Sequence, residues 1–257
     1  MLAKKDFVVY TALFGDYDCF QEPAENFEGC DFVYFTDNED LKSDVWKIHV
    51  IKTPDLTPGM MNRRYKILPH SYVREYNQSL YVDANIRIMG NPRDLAARYL
   101  KEHDIAAPKH FSRNCVYEEA KACIILGRSD LHGALAQMKY YKAQDYPKHN
   151  GLMENGILLR NHNNPLVITT MEDWWNELHT WTQRDQLSLM FVAWRNGLSM
   201  GTMEEGARNR NRYFQYGYHR QYRNYKIHLK VRDKLNIWFR KVFHAPCYAL
   251  LLFFSRN

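Results

Sequence analysis

The sequence predicts an α/β fold with a mostly parallel central sheet. Two patterns predict it. Short unbroken runs of β-branched and aromatic residues suit strands buried on both faces, and helix-like stretches alternate with them as far as residue 200. A basic, Arg/Asn/Tyr-rich stretch from about residue 207 onward sets the C-terminus apart. The 257 residues suit one domain with an appendage. The reading places one α/β domain at 1–225 and a basic amphipathic, apolar-ended tail at 226–257.

Phe7–Leu13 reads as the first strand, ended by Gly15. Phe32–Phe35 is a second, closed by Thr36-Asp37-Asn38, and Val45–Ile51 a third, closed by Pro54. Residues 62–76 read as a helix with Pro69 as a kink or break. Ser79–Val82 is a strand that ends at Asp83. A helix follows over 94–103 with Asp94 as its cap, then helices over 116–126 and 129–144. Gly156–Arg160 is a short strand, followed by helices over 171–180 and 185–196, the second closed by Gly197. From Lys226 to His244, Ile227, Val231, Leu235, Trp238 and Val242 recur at spacings of three and four, the stripe of an amphipathic helix. The apolar run Cys247–Phe254 comes last.

Hydrophobic residues make up 46% of the chain, enough for a real core. Its 18 Tyr and 6 Trp offer flat faces that suit sugars and bases as well as packing. The net charge of +6 is unevenly spread. Residues 207–257 hold 12 Lys/Arg against Asp233 alone, so they carry +11; residues 1–206 hold 23 Lys/Arg and 28 Asp/Glu, so they carry −5. Such a tail suits an anionic partner: a membrane surface, a nucleic acid or a phosphorylated substrate. Five cysteines, with no CxxC pair, indicate neither a disulfide framework nor a zinc site and point to a reducing cytoplasm. The Phe7–Phe14 stretch lacks the form of a signal peptide, and no run reaches the roughly 18 apolar residues of a membrane span.

SLYVDANIRI, residues 79–88, is the sharpest local feature. A strand delivers Asp83 and Asn85 at its carboxyl end, where open α/β sheets bind ligands. Two oxygen donors there suit Mg²⁺ or Mn²⁺ shared with substrate phosphates; the alternative is an ordinary polar turn. The loop after the first strand, Thr11 to Tyr17, is a nucleotide-docking position but not a GxGxxG fingerprint. Asp37 is placed to bond a ribose or base. Arg63, Arg64 and Lys66 either pair with a diphosphate or form a solvated basic face. Asp185 either caps a helix or acts on an acceptor hydroxyl, a role Glu154 would also fit. His110, Arg113, Tyr117, Glu118 and Glu119 form a polar cluster that lines a sugar pocket or builds a buried ion-pair network. His219 is a candidate third metal ligand beside Asp83 and Asn85.

The ordered set YTALFGDYD (10–18), FTDN (35–38), NRRYKILPH (62–70), SLYVDANIRI (79–88), KHFSRNCVYEEA (109–120), GLMENGILLRNHN (151–163) and RDQLSL (184–189) resembles the glycosyltransferase-like proteins once called domain of unknown function 616, relatives of the GT-A transferases of the glycogenin and galactosyltransferase type. The resemblance implies a GT-A-like fold, a nucleotide-sugar donor such as a UDP-sugar, and Mn²⁺ or Mg²⁺. It places Asp83 and Asn85 at the metal and diphosphate, and Thr11, Ala12 and Asp37 at the nucleoside. Arg63 and Lys66 fall among the basic residues before the Asp motif, and Asp185 near sugar and acceptor. Asn85 stands where many relatives carry a second Asp, and the late-histidine motif of the glycogenin-like enzymes is missing, which separates His219 from that pattern.

The expected function is therefore metal-dependent transfer from a nucleotide-sugar to a glycan or glycolipid acceptor in surface polysaccharide or glycolipid synthesis. The expected place is the cytoplasm, at the inner face of the membrane, with the tail either lying on an anionic leaflet or packing on protein. No nucleic-acid partner is expected. The competing reading is a nucleic-acid-binding protein that uses the Arg/Tyr-rich stretch 208–225, although no recognised module is present.

Overall fold

The structure, a computed structural model, describes residues 5–16, 18–217 and 231–253. β1 (Lys5–Leu13), β2 (Asp31–Thr36), β3 (Lys47–Val50) and β4 (Tyr76–Val82) lie in parallel, in the order β3-β2-β1-β4. β5 (Ile86–Ile88) follows β4 but leaves the sheet. β6 (Ile105–Pro108), β7 (Ile157–Arg160) and β8 (Met200–Met203) complete seven strands in the order β4-β7-β6-β8, with β7 antiparallel to both of its neighbours. β5 pairs instead with β9 (Phe214–Tyr216) in a separate antiparallel ribbon. The mostly parallel sheet predicted from the sequence is thus present, with β7 as its reversed strand.

Alternation along β1 divides the core between the two faces. Val8, Tyr10 and Ala12 pack with α1 (Pro58–Ile67), α4 (Val116–Ile125), α5 (Leu131–Ala143), α6 (Pro165–Thr180) and α7 (Leu189–Arg195). Phe7, Val9 and Leu13 pack on the other face with Phe32, Tyr34, Trp46 and the helix α3 (Arg93–Tyr99). Helix layers on both faces explain why the strands read as continuous apolar runs.

Several boundaries differ from expectation for local reasons. The helix expected at 62–76 begins at Pro58, whose ring suits a first turn. It stops at Ile67, because Leu68 leaves helical geometry before Pro69; a short α2 (Pro69–Tyr72) follows. Asp94 does not cap α3: Pro92 occupies the cap position, and Asp94 accepts from Arg212 and the Tyr213 hydroxyl, both at 3.3 Å. α6 starts at Pro165 rather than 171 because the Asn164 side chain accepts from Leu166 N. The helix expected at 185–196 is a 3-10 turn, Asp185–Leu187, followed by α7.

β5, β6, β8 and β9 had no sequence signal. Each spans three or four residues, and Ile-Ala-Ala-Pro and Met-Gly-Thr-Met carry little β-propensity. At the C-terminus, a helix over Val231–Phe239 continues through a π-helical stretch, Arg240–His244, into Ala245–Phe253, so the amphipathic segment and the apolar run form one helix. Its expected start at Lys226 lies outside the described residues. Ala245 and Tyr248 anchor it: both are buried, and the Tyr248 hydroxyl donates to the Tyr117 carbonyl at 3.0 Å.

A buried arginine connects β7 to the end of α1. Arg160 is fully buried and donates to the Tyr10 hydroxyl and, at 2.9 Å, to the Lys66 carbonyl, which also accepts from the Tyr10 hydroxyl at 3.1 Å. Burial pushes the Tyr10 phenol up to about 12, against the pull of Arg160, so it stays a donor at neutral pH. Truncation at Arg160 would leave the Tyr10 hydroxyl and the Lys66 carbonyl with only each other and open a cavity. Arg160→Ala is expected to lower stability by about 3 kcal/mol in urea unfolding; an unchanged midpoint would contradict this account.

Candidate functional site

The carboxyl ends of β1, β2 and β4 converge on one edge of the sheet, the place where open α/β sheets bind ligands. There the chain after β1 turns at Gly15, which has φ +75°. Asp37, just past β2, accepts from the Gly15 amide with both carboxylate oxygens, at 3.1 and 3.0 Å. Asn62 of α1 accepts from the Phe14 amide at 2.8 Å. Asp37 therefore shapes the loop through its backbone. Thr11 and Ala12 lie inside β1, both buried.

Lys66, near the end of α1, is buried at the centre of the site. Its ammonium lies 2.7 Å from Asp185 Oδ2 and 3.4 Å from Asp83 Oδ1. Tyr81, two residues before Asp83 on β4, donates to the same Asp83 oxygen at 3.0 Å and places its ring under the ammonium. Asp83 Oδ2 has no protein partner among the described residues, and the Asp83 side chain is 42% exposed. A Cβ at Gly156 would meet this oxygen at 3.0 Å, so glycine keeps the approach open.

Asp185 differs from Asp83 in environment. Its side chain is nearly enclosed, and its carbonyl accepts from Asn155 Nδ2 and Trp174 Nε1, each at 3.1 Å. Burial alone would raise its pKa. The charges of Lys66, Arg63 and Arg184 overcome that and hold the carboxyl well below the usual range. Of the two sequence alternatives, neither the helix cap nor a free base matches: the side chain makes no cap bond to α7 and is committed to Lys66. Arg63 donates to the Gly59 carbonyl at 2.8 Å and adds its charge to the pocket. Arg64 turns to Asp55 on the surface.

Glu154 lies close enough to Asp83 to feel its charge. It pairs with Arg208 at 3.0 Å, and burial raises its carboxyl, with Arg208 working against that shift. Arg208 also covers the Phe111 and Tyr216 rings, at 4.7 and 5.2 Å. Asn85 is buried, its side chain bonded with Tyr216 and its carbonyl accepting from the Gly217 amide at 2.6 Å. Its side chain is thereby drawn toward the β5–β9 ribbon. His219 lies outside the described residues.

His110 and Arg113 fall into the ion-pair alternative. Arg113 Nε lies 2.5 Å and His110 Nε2 3.6 Å from the buried Glu119 carboxylate. Burial keeps His110 below its ordinary pKa, with Nδ1 accepting from the Ser112 and Arg113 amides. Sequence reading missed Tyr81 and gave Arg208 and Tyr216 no place at this edge of the sheet. Tyr81 was legible, since residues two apart on a strand share a face. Arg208 and Tyr216 reach the site from a distant segment with no local pattern. Their engagement also shows that part of the stretch 208–225 is folded onto the body.

A depressed carboxyl contributes stability above its unfolded pKa of about 3.9, and the contribution is lost as pH falls through its folded value. Asp185→Asn is expected to cost about 3 kcal/mol at neutral pH, because it leaves part of the buried Lys66 charge unpaired. The gap from wild type should narrow progressively below about pH 4. A gap of constant size down to pH 2 in urea unfolding would refute the assignment.

Residues 1–203 match the family model described as "TOD1/MUCI70, glycosyltransferase-like domain". An Arabidopsis thaliana protein named "Probable hexosyltransferase MUCI70" is 26% identical over 162 residues; the match covers 59% of this chain and 28% of that protein. The chain therefore spans well under a third of that relative. Among solved structures, mouse xyloside xylosyltransferase 1 in its apo form is similar at a TM-score of 0.46 and 11% identity, over 77% of this chain and 85% of that one. The apo structure of the WbbM bifunctional glycosyltransferase is similar at a TM-score of 0.44 and 10% identity, over 79% and 39%. With the family model covering the sheet, Lys66, Asp83 and Asp185 together, the chain belongs to the TOD1/MUCI70 glycosyltransferase-like domain family.

Proposed function

We propose that this chain transfers a hexose from a nucleotide-sugar, a UDP-sugar, to a hydroxyl of a glycan or glycolipid in the synthesis of surface polysaccharide or glycolipid. The observation that carries the reading is the buried Lys66 cation held between Asp83 and Asp185 at the ligand-binding edge of the sheet. The name of the Arabidopsis relative supports a hexose as the transferred group.

The nucleoside lies against the carboxyl end of β1, where Thr11 and Ala12 form the floor and Asp37 shapes the turn. Arg63 and Lys66 face the diphosphate. The open oxygen of Asp83 suits a hard divalent cation such as Mn²⁺ or Mg²⁺, which commonly takes one or two carboxylates and completes its shell with phosphates and water. When bound, such an ion offsets charge on the leaving diphosphate. His110 and Arg113 support the wall through Glu119.

Glu154, with its raised carboxyl, is the stronger base and serves as the proton acceptor, whereas Asp185, held ionised by Lys66, is a weak base and a strong anchor. The acceptor oxygen bonds to the anomeric carbon, the bond from that carbon to the diphosphate oxygen breaks with its electron pair leaving on the diphosphate, and the hydroxyl proton passes to Glu154. UDP with Mn²⁺ is expected to raise the thermal midpoint of the wild type. Asp83→Ala should lose the rise; Glu154→Gln should keep it while transfer from a UDP-hexose falls by about 10²-fold or more. No shift with UDP, GDP or CMP, with or without Mn²⁺, would overturn the donor site.

The C-terminal helix bears on where the enzyme works. Among the described residues no helix is long and apolar enough to cross a membrane. Yet Leu235, Trp238, Phe243 and Phe253 are each more than half exposed, in a region of the sequence that carries +11. Exposed aromatic and aliphatic side chains beside basic ones fit an anionic bilayer surface on the cytoplasmic side. Vesicles rich in anionic lipid should sediment the protein while zwitterionic vesicles leave it in solution, and Trp238→Ser with Phe243→Ser should abolish sedimentation. A solution dimer that the same substitutions dissociate, with no vesicle binding, would assign the surface to a second copy of the chain instead.

A further inference from the structure

A second cluster of ligating side chains lies apart from Lys66, Asp83 and Asp185 and shares no residue with them. Cys115, Glu118 and His149 bring a thiol, a carboxylate oxygen and an imidazole nitrogen within 4.8 Å of one another. Cys115 sits at the cap position of α4 and Glu118 one turn on, so the helix start places both on one side. His149 arrives from the loop after α5. Sequence spacing did not reveal the group, because the third member lies 31 positions beyond Glu118 and no CxxC precedes it.

The surroundings match what metal-bound histidines need. His149 Nδ1 lies 2.7 Å from Asn114 Oδ1; a proton on Nδ1 donates to that oxygen and leaves Nε2 with its lone pair free for a ligand. Glu118 makes no hydrogen bond or ion pair among the described residues, and Cys115 is a free, buried thiol. His149 also holds φ +56°, uncommon for a residue with a side chain. The Gly151 amide donates to the Asn114 carbonyl at 3.1 Å, which ties the loop to the same residue that orients the ring.

We propose that Cys115, Glu118 and His149 bind a zinc ion, with water in the fourth position. Thiolate with imidazole selects zinc over Mg²⁺ or Mn²⁺, which take oxygen ligands, so this ion is distinct in kind from the one suited to Asp83. Binding displaces the thiol proton of Cys115 to solvent. The ion clamps the loop to the start of α4. Five residues after His149 the chain reaches Glu154, and Gly156 then accepts from the Asp83 amide at 2.8 Å. The clamp thus steadies the wall that presents Glu154.

The test is independent of transfer activity. Protein freed of metal with a chelator and titrated with Co²⁺ should bind one equivalent with a thiolate-to-cobalt charge-transfer absorption in the near ultraviolet, displaced by Zn²⁺. Zn²⁺ should also raise the thermal midpoint. Cys115→Ser should abolish the absorption, while Cys247→Ser and Asp83→Ala keep it. His149→Ala and Glu118→Gln, both at exposed positions, should weaken binding even if the buried cysteine variant folds poorly. Asn114→Ala, acting through the ring, should weaken it by about 10-fold or more. Absence of the absorption in the wild type, or its persistence in Cys115→Ser or in His149→Ala at undiminished affinity, would overturn the proposal.

Discussion

The site depends on a cation that water barely reaches. The Lys66 ammonium is removed from solvent, and a charge so placed is tolerable only if anions meet it. Asp185 and Asp83 do so from two separate elements, one from the turn before α7 and one from the end of β4. The pairing therefore ties α1, β4 and the Asp185 turn to one point. The Lys66 carbonyl is held in turn by Tyr10 and Arg160, so both ends of the residue are constrained by the core.

That arrangement divides the carboxylates by environment. Asp185 is enclosed, surrounded by three cations and kept ionised, so it is suited to hold Lys66 and poorly suited to take a proton. Asp83 shares the same lysine but keeps one oxygen open. Glu154 has a single arginine partner and is desolvated enough to be more basic than an ordinary glutamate. Three carboxyl groups of similar intrinsic strength thus sit in three different environments set by burial and charge.

The basic C-terminal region also divides. Arg208 and Arg212 turn back onto the body, to Glu154 and Asp94. The C-terminal helix is held through Ala245 and Tyr248 and presents large apolar side chains outward. The charge run read as one feature in the sequence therefore serves two purposes, one at the wall of the site and one at the surface.

By itself the sequence determined the long elements and the sheet edge at which Asp83 stands. β1, β2 and β4 were legible because continuous apolar runs between turn residues have few other uses, and Asp83 because it directly follows such a run. Asp37, Lys66 and Glu154 were identifiable as candidates but not in role, since a side chain's partner is chosen by contacts across long sequence separations. Only the tertiary structure decided that Asp185 anchors a lysine rather than caps a helix, and that Asn85 turns to Tyr216. It alone brought His149 to Cys115 and Glu118. β6 and β8 belong to the same class: Ile-Ala-Ala-Pro and Met-Gly-Thr-Met carry too little pattern to read, and they exist because neighbours already in place satisfy their backbone hydrogen bonds.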